Sequence, residues 1–178
     1  PEAPAAGARR ILAGMDGALL SPAERRRIAR LAAAVPHDRW IVAPEDPGAE
    51  AACCAAAASQ ASVLSVSPAS PLSGLHRLTA AGLRQRVHLS GGWPSAAAEG
   101  WERPIGLLVV PAGSRAMRAL MAAWAGYVCP RGFIAFYGGR AADARALGLR
   151  PDFWACYPRG VAAPFLLMRR PVGCTHCY

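Results

Sequence analysis

Five residues, Pro44-Glu45-Asp46-Pro47-Gly48, separate the apolar run Trp40-Ile41-Val42-Ala43 from an alanine- and cysteine-rich run over residues 49–59. Strand, tight turn and helix in that order form the unit that, in nucleotide-binding folds, presents a glycine-rich loop to a ligand. Glycines let the backbone come close, and the N-terminus of the helix faces the bound group. Here two prolines and two acids stand where glycines are expected, so the turn is stiff and negative, and Gly48 alone keeps the freedom for close approach. A second constellation is Cys174, His176 and Cys177, two thiols and an imidazole within four residues, soft ligands suited to zinc or copper. Three ligands leave a fourth to be found, and without a paired C-x-x-C the simpler account is a tail with ordinary thiols. The histidines are isolated in sequence: His88 in a strand and His76 on a helix read as packing residues, and His37 as part of a turn. No G-x-S-x-G elbow, phosphate-binding loop or H-E-x-x-H occurs, so hydrolase and nucleoside-triphosphatase chemistry has no support.

The elements that must position these residues follow from patterning. Ser21, Pro22 and Glu24 form a capping box ahead of an apolar stripe at Ile28, Leu31 and Ala32, which predicts a helix ending near Pro36. Strands are then predicted at residues 39–43, 62–67, 86–90, 105–110 and 132–137. Helices are predicted between them at 48–59, 72–83, 95–101 and 114–128. The run Ile-Gly-Leu-Leu-Val-Val at 105–110 is apolar on both parities, as a strand covered by helices on both faces must be. Two further strands, in 152–158 and 164–171, are joined by a turn-like Arg-Gly-Val-Ala-Ala and read as an antiparallel hairpin at a sheet edge. The fold class is therefore α/β, a Rossmann-like, doubly wound, seven-stranded and mostly parallel sheet with a C-terminal antiparallel hairpin. It divides into a loose segment at 1–19, an α/β domain at 20–172 and a Cys/His tail at 173–178.

Composition narrows the partners. The chain of 178 residues suits one domain with a sizeable core. Its six cysteines lie at irregular spacings, and Cys53, Cys54, Cys129 and Cys156 sit among apolar residues, so they read as buried free thiols. The formal net charge of +9 is uneven, +1 over residues 1–102 and +8 over residues 103–178. That asymmetry favours an anionic partner, such as nucleic acid, an acidic protein face or a phosphorylated ligand. All 20 basic residues are Arg, scattered without aromatic interleaving, which disfavours nucleic acid. No run reaches the ~18 apolar residues of a membrane span. The opening Pro-Glu-Ala-Pro-Ala-Ala-Gly-Ala-Arg-Arg lacks the apolar core of a secretory signal, so a cytoplasmic location is the expectation.

The succession from Leu20 to Gly138 resembles the class I S-adenosylmethionine-dependent methyltransferases. Within them it is similar to the small-molecule O-methyltransferase branch, with its macrocin O-methyltransferase-like and methyltransferase family 24 domains. The cadence is carried by residues 82–110 and 114–138, and the resemblance covers roughly residues 20–170. It implies that the acid ending the first strand falls on Ala43, the first glycine of the loop on Glu45 and the second on Gly48. The acid that grips the ribose hydroxyls falls on Ser67, where a neutral hydrogen bond of ~1 kcal/mol replaces charged ones of ~1.5–3 kcal/mol. The family's I-D-G-x-H falls on Val110-Pro111-Ala112-Gly113-Ser114, its P-G-G on Pro130-Arg131-Gly132, and its H-D on Tyr137-Gly138. The groups for hard-metal ligation and for deprotonating an acceptor hydroxyl are thus replaced.

The resemblance implies S-adenosylmethionine as cofactor, with Glu45, Gly48, Ser67, Gly91, Gly92 and Trp93 as its contacts and Glu50 as an alternative to Glu45 for the lost acid. Trp93, Trp101 and Trp124 fall near the adenine or substrate region, with core or lid packing as the plainer alternative. Two functions remain open. One is a small-molecule methyltransferase with weakened or lost cofactor and metal motifs, working by proximity on a small-molecule acceptor. The other is a non-catalytic pseudo-methyltransferase that binds an acidic partner or stabilises an assembly, a homodimer included. If the tail binds zinc, metal content measured on the purified chain falls when Cys174 and Cys177 are changed to Ser, and an unchanged content removes that site.

Overall fold

The computed structural model of the chain describes residues 20–68, 72–112, 117–138, 153–156 and 166–169. Helix α1 (Pro22–Ala33) starts as its capping box requires. Ser21 Oγ accepts from the Glu24 N–H at 3.3 Å, and Glu24 Oε2 accepts from the Ser21 N–H at 2.8 Å. Then come β1 (Trp40–Ala43), α2 (Glu50–Ala58), β2 (Ser62–Ser67), α3 (Leu72–Ala80) and β3 (Val87–Gly91). After a 3-10 turn at Ala96–Ala98 follow β4 (Ile105–Pro111), α4 (Met117–Trp124), a second 3-10 turn at Ala125–Tyr127 and β5 (Val128–Tyr137). Among the described residues no helix is long and apolar enough to cross a membrane.

Five strands lie parallel in the order β3-β2-β1-β4-β5. Beyond β5 lie two four-residue strands, β6 (Phe153–Cys156) and β7 (Leu166–Arg169), β7 antiparallel to both β5 and β6. The expected turn between them, at 159–163, lies outside the described residues. The chain therefore winds outward from β1 in one direction and resumes from β4 in the other. That reversal of strand order opens a crevice beyond the carboxyl ends of the strands.

Both faces of the sheet are covered. On one, Ile41, Val63, Leu107 and Val109 pack under α1, α2 and α3. On the other, Val42, Val66, Leu108, Val110 and Ile134 pack under α4 and the first 3-10 turn. This is why residues 105–110 are all buried. Helix α2 has no polar face, only Ala and Cys after Glu50, and it is buried nearly all round.

Three boundaries differ from the expectation for local reasons. The helix expected at 95–101 is only the 3-10 turn Ala96–Ala98, because left-handed Gly100 (φ 73°) stops it. Helix α2 begins at Glu50 rather than residue 48, because Gly48 (φ 78°) and Ala49 (φ 55°) are both left-handed. Strand β5 begins at Val128, earlier than expected, and loops out against β4: Ile105 faces Val128, yet Leu107 faces Phe133. Within that irregularity Arg131 is left-handed (φ 64°), and a Cβ on Gly132 would lie 2.8 Å from the Cys129 carbonyl oxygen. Two opposite outcomes follow in chemical unfolding. Arg131→Gly raises stability by about 1 kcal/mol by removing the left-handed strain. Gly132→Ala lowers it by about 1–3 kcal/mol through overpacking against backbone.

Candidate functional site

The crevice lies beyond the carboxyl ends of β1, β2, β3, β4 and β5. At the first, Ala49 stands at the N-cap of α2 without a capping side chain, and Asp46 supplies the missing acceptor from three residues earlier. Its carboxylate accepts from the N–H groups of Ala51 (3.0 Å) and Ala52 (2.9 Å) and from the Ser65 hydroxyl of β2 (3.2 Å). Its own N–H donates to the Val66 carbonyl at 3.0 Å, and its carbonyl accepts from the Ala49 N–H at 3.0 Å. One residue thus ties β1, α2 and β2 together while only 2% exposed. A carboxylate at the positive end of a helix is favourable in itself. Burial nevertheless dominates and pushes the Asp46 carboxyl up to about 6, against the lowering by Ala52, Ala51 and Ser65, with Glu50 adding to the rise.

The rest of this loop is also engaged. The Tyr137 hydroxyl, at the end of β5, donates to the Glu45 carbonyl at 2.9 Å. Burial, first of all, holds that phenol far above its ordinary range, so it remains a donor. Arg77 of α3 donates from Nη1 to the Gly48 carbonyl at 2.8 Å. Gly48 permits this approach, since a Cβ there would meet that Nη1 at 3.1 Å. Gly74 of α3 likewise presses on the loop, where a Cβ would come within 2.9 Å of Ala49 Cβ. Glu45 Oε2 is buried and has no hydrogen-bond partner among the described residues. Buried Glu50, from α2, accepts from the Leu20 N–H at 3.1 Å. Glu24 accepts from the Gly138 N–H at 2.7 Å, and the Ala112 N–H donates to the Tyr137 carbonyl at 2.6 Å, so α1 and the ends of β4 and β5 are tied across the edge.

At the neighbouring strand ends the surroundings are different. Ser67 is 5% exposed and pairs in register with Gly91, and its carbonyl accepts from the Gly92 N–H at 3.2 Å. Gly91, Gly92 and Trp93 are exposed. The Trp93 indole is 77% exposed, while the carbonyl of adjacent Pro94 is held at 2.8 Å by Nε1 of fully buried Trp124. Trp101 is packed between Trp40 (5.3 Å between ring centroids) and Trp124 (5.5 Å), so of the three tryptophans Trp93 is the exposed one.

Glu45, Gly48, Ser67, Gly91, Gly92 and Trp93 thus all stand at the carboxyl edge, with the two loops linked through Asp46 and Val66. Arg77 and Glu24 were not anticipated as parts of the site, and Asp46 and Tyr137, placed in the turn and at the family's H-D position, were not given these contacts. An acid closely preceding a helix was the available signal for Asp46; no local spacing points to Arg77 or Tyr137. His88 packs against Trp40 with the rings tilted and their centroids 5.0 Å apart, and His76 is exposed on α3. Cys53 and Cys54 are buried free thiols, and burial pushes Cys53 up to about 11 and Cys54 higher, so neither is a ready nucleophile. Cys174, His176 and Cys177 lie outside the described residues, among which no group of three or more His, Cys, Asp or Glu could hold a metal.

Strand order and crevice define the fold of the class I S-adenosylmethionine-dependent methyltransferases. Three solved structures illustrate the similarity. A methyltransferase from Geobacter sulfurreducens superposes with a TM-score of 0.72 at 20% identity, over 96% of this chain and 90% of that one. A cofactor-bound protein from MTB gives 0.69 at 18% identity, over 93% and 88%. An rRNA methylase from Streptococcus thermophilus gives 0.62 at 15% identity, over 82% and 95%. No protein-family model matches the chain, and no curated protein is similar to it in sequence.

S-adenosylmethionine carries a carboxylate, an ammonium, a sulfonium, a ribose and an adenine. The helix N–H groups suited to its carboxylate already hold Asp46, and the loop carbonyls suited to its ammonium already receive Tyr137 and Arg77. At the end of β2, where the resemblance implies the acid that grips the ribose, stands buried Ser67. The residues present therefore fit the cofactor's carboxylate and ribose poorly, while Glu45 Oε2, buried and without a partner among the described residues, leaves an acceptor in this loop for an ammonium. The titration of Asp46 gives a measurable signature of this closed loop. Between pH 3.8 and about 6 the folded chain keeps a proton that the unfolded chain has released. The stability from this residue is fully present below pH 3.8 and is lost as pH rises through about 6, by about 3 kcal/mol in all. Urea unfolding of the native chain minus that of Asp46→Asn, measured across this window, shows that decline; a flat difference contradicts it.

Proposed function

We propose that this chain is a degenerate methyltransferase of the small-molecule O-methyltransferase type, in which the groups for the cofactor, the metal and the acceptor proton have been replaced. It acts as a non-catalytic binding subunit rather than as a methyl-transfer enzyme. The observation that carries this reading is the Asp46 carboxylate, buried against the first N–H groups of α2 where a ligand's anion would sit. Displacing it would leave a desolvated carboxylate and a helix start without its cap, two costs that binding would have to offset.

The other strand ends support the same conclusion. Pro111 and Ala112 stand at the end of β4, where the O-methyltransferase pattern carries an acid. At the end of β5 stands Tyr137, a phenol held protonated and already donating to Glu45. Neither can take a proton from an acceptor hydroxyl. The partner consistent with a net charge of +8 over residues 103–178 is an acidic protein face, and that association should weaken as salt screens it.

Isothermal calorimetry tests the proposal directly. The chain is titrated with S-adenosylmethionine and with S-adenosylhomocysteine. The expected result is no measurable heat with either at millimolar concentration. Micromolar affinity for S-adenosylmethionine returns the chain to the enzymes.

A further inference from the structure

The crevice occupies one end of the sheet, and the opposite end, where the parallel strands begin, gathers arginines. Trp40 opens β1 and lies in register with Ser62 on β2 and Ile105 on β4, while Ile105 in turn faces Val128 on β5. Arg39 and Arg103 come just before β1 and β4, Arg86 just before β3, and Arg131 stands in the loop that β5 makes after Val128. The acids next to them in sequence are Asp38 and Glu102, both exposed, so cations are in excess along this edge.

Two of these arginines sit at a cost to the chain alone. Arg131 is exposed and left-handed (φ 64°), a conformation that glycine would hold without strain. Arg86 has its Nη2 buried with no hydrogen-bond partner among the described residues, a donor taken from water without replacement. Arg103, by contrast, is held ready. Its guanidinium lies over the Trp40 ring, 4.9 Å from the centroid, and its carbonyl accepts from Trp101 Nε1 at 2.6 Å. Trp101 also packs edge-on against Trp40, so the indole beneath the guanidinium is fixed. An arginine stacked in this way keeps the N–H groups at its rim available to a carboxylate. The stem of Arg39 is seated over β4, because a Cβ on Gly106 would lie 3.3 Å from Arg39 Cβ and 3.4 Å from its Cδ.

Spacing and ring contacts decide the occupant. Neighbouring strands lie ~4.8 Å apart, so the edge from β3 through β2, β1 and β4 to β5 runs about 19 Å, more than one small anion can reach along. An extended peptide rises about 3.3 Å per residue, so roughly six residues span that edge, with every second side chain turned the same way. A nucleic acid would need an open ring on which to stack a base, and Trp40 is already covered by Arg103 and His88. We infer that the amino-terminal edge of the sheet is the docking surface for an extended acidic protein segment, whose carboxylates meet Arg86, Arg103 and Arg131. The inference rests on the proposed binding role for its acidic partner, and it adds the surface, at the end of the sheet away from the crevice.

The probe is a decaglutamate peptide, titrated by calorimetry into the full chain at about 20 mM and about 200 mM salt. The expected result is micromolar affinity at the lower salt, weakened roughly tenfold at the higher. Arg103→Gln is expected to lose roughly fivefold of that affinity and Arg131→Gly roughly threefold, while Arg26→Gln, on the exposed face of α1, binds as the native chain does. Arg131→Gly separates docking from folding, because its thermal melt stays level or rises while its binding falls. No binding of the peptide overturns the docking surface. So do Arg103→Gln and Arg131→Gly variants that bind normally, an Arg26→Gln variant that loses as much as they do, or a decathymidylate that binds more tightly than the peptide. The two proposals fail separately. Micromolar binding of S-adenosylmethionine overturns the non-catalytic reading and leaves this surface in place, whereas silence toward decaglutamate overturns the surface alone.

Discussion

The buried carboxylate of Asp46 is the constraint on which the carboxyl edge depends. A helix start leaves N–H groups without partners, and a fold that places such a start beside a crevice must satisfy them from water, from a ligand or from itself. Here Asp46 satisfies two of them and also receives the Ser65 hydroxyl, so the first strand, the first sheet-covering helix after it and the second strand share one acceptor. Burial raises the cost of the charge, and the three hydrogen bonds offset part of it. The balance leaves a carboxyl that titrates at about 6 in a place where a binding loop would carry flexible glycines.

Around that acceptor the remaining contacts have a common effect. Tyr137 reaches from β5 to the loop's first carbonyls and Arg77 reaches from α3 to its last, while Glu24 draws α1 over the end of β5. Each contact comes from a different element, so the loop cannot rearrange without several elements giving way together. Left-handed Ala49 puts strain into this loop, because a residue with a Cβ holds a conformation that glycine adopts freely. The backbone follows the methyltransferase fold, and the loop after β1 is held by Asp46, Tyr137 and Arg77.

Much of the scaffold was legible because it depends on neighbours in sequence. Ser21 and Glu24 announce α1 through a local exchange of hydrogen bonds, and the doubly apolar residues 105–110 announce a strand covered on both faces. The 3-10 turn at Ala96–Ala98 was harder, since three alanines suit a helix and only the conformation of Gly100 ends it. The site was legible in place but not in role. Glu45 was singled out for its side chain, yet the atom that Tyr137 engages is its carbonyl. Arg77 and Tyr137 lie 29 and 92 residues from their partners in the loop, and no spacing rule spans such separations. Asp46 stood in plain view as an acid before a helix, but its deep burial is a property of the packed sheet.

The strand order also governs how the chain can come together. Strand β1 pairs with β2 some twenty residues later, Trp40 facing Ser62, but its other neighbour is β4, with Trp40 facing Ile105. During synthesis the middle of the sheet must wait with one side of β1 unpaired until well over half of the chain has emerged. Such delayed closure is slow, and an open strand edge invites mispairing with other nascent chains. That β1 is only four residues long, Trp40–Ala43, limits how much edge is offered in the interval.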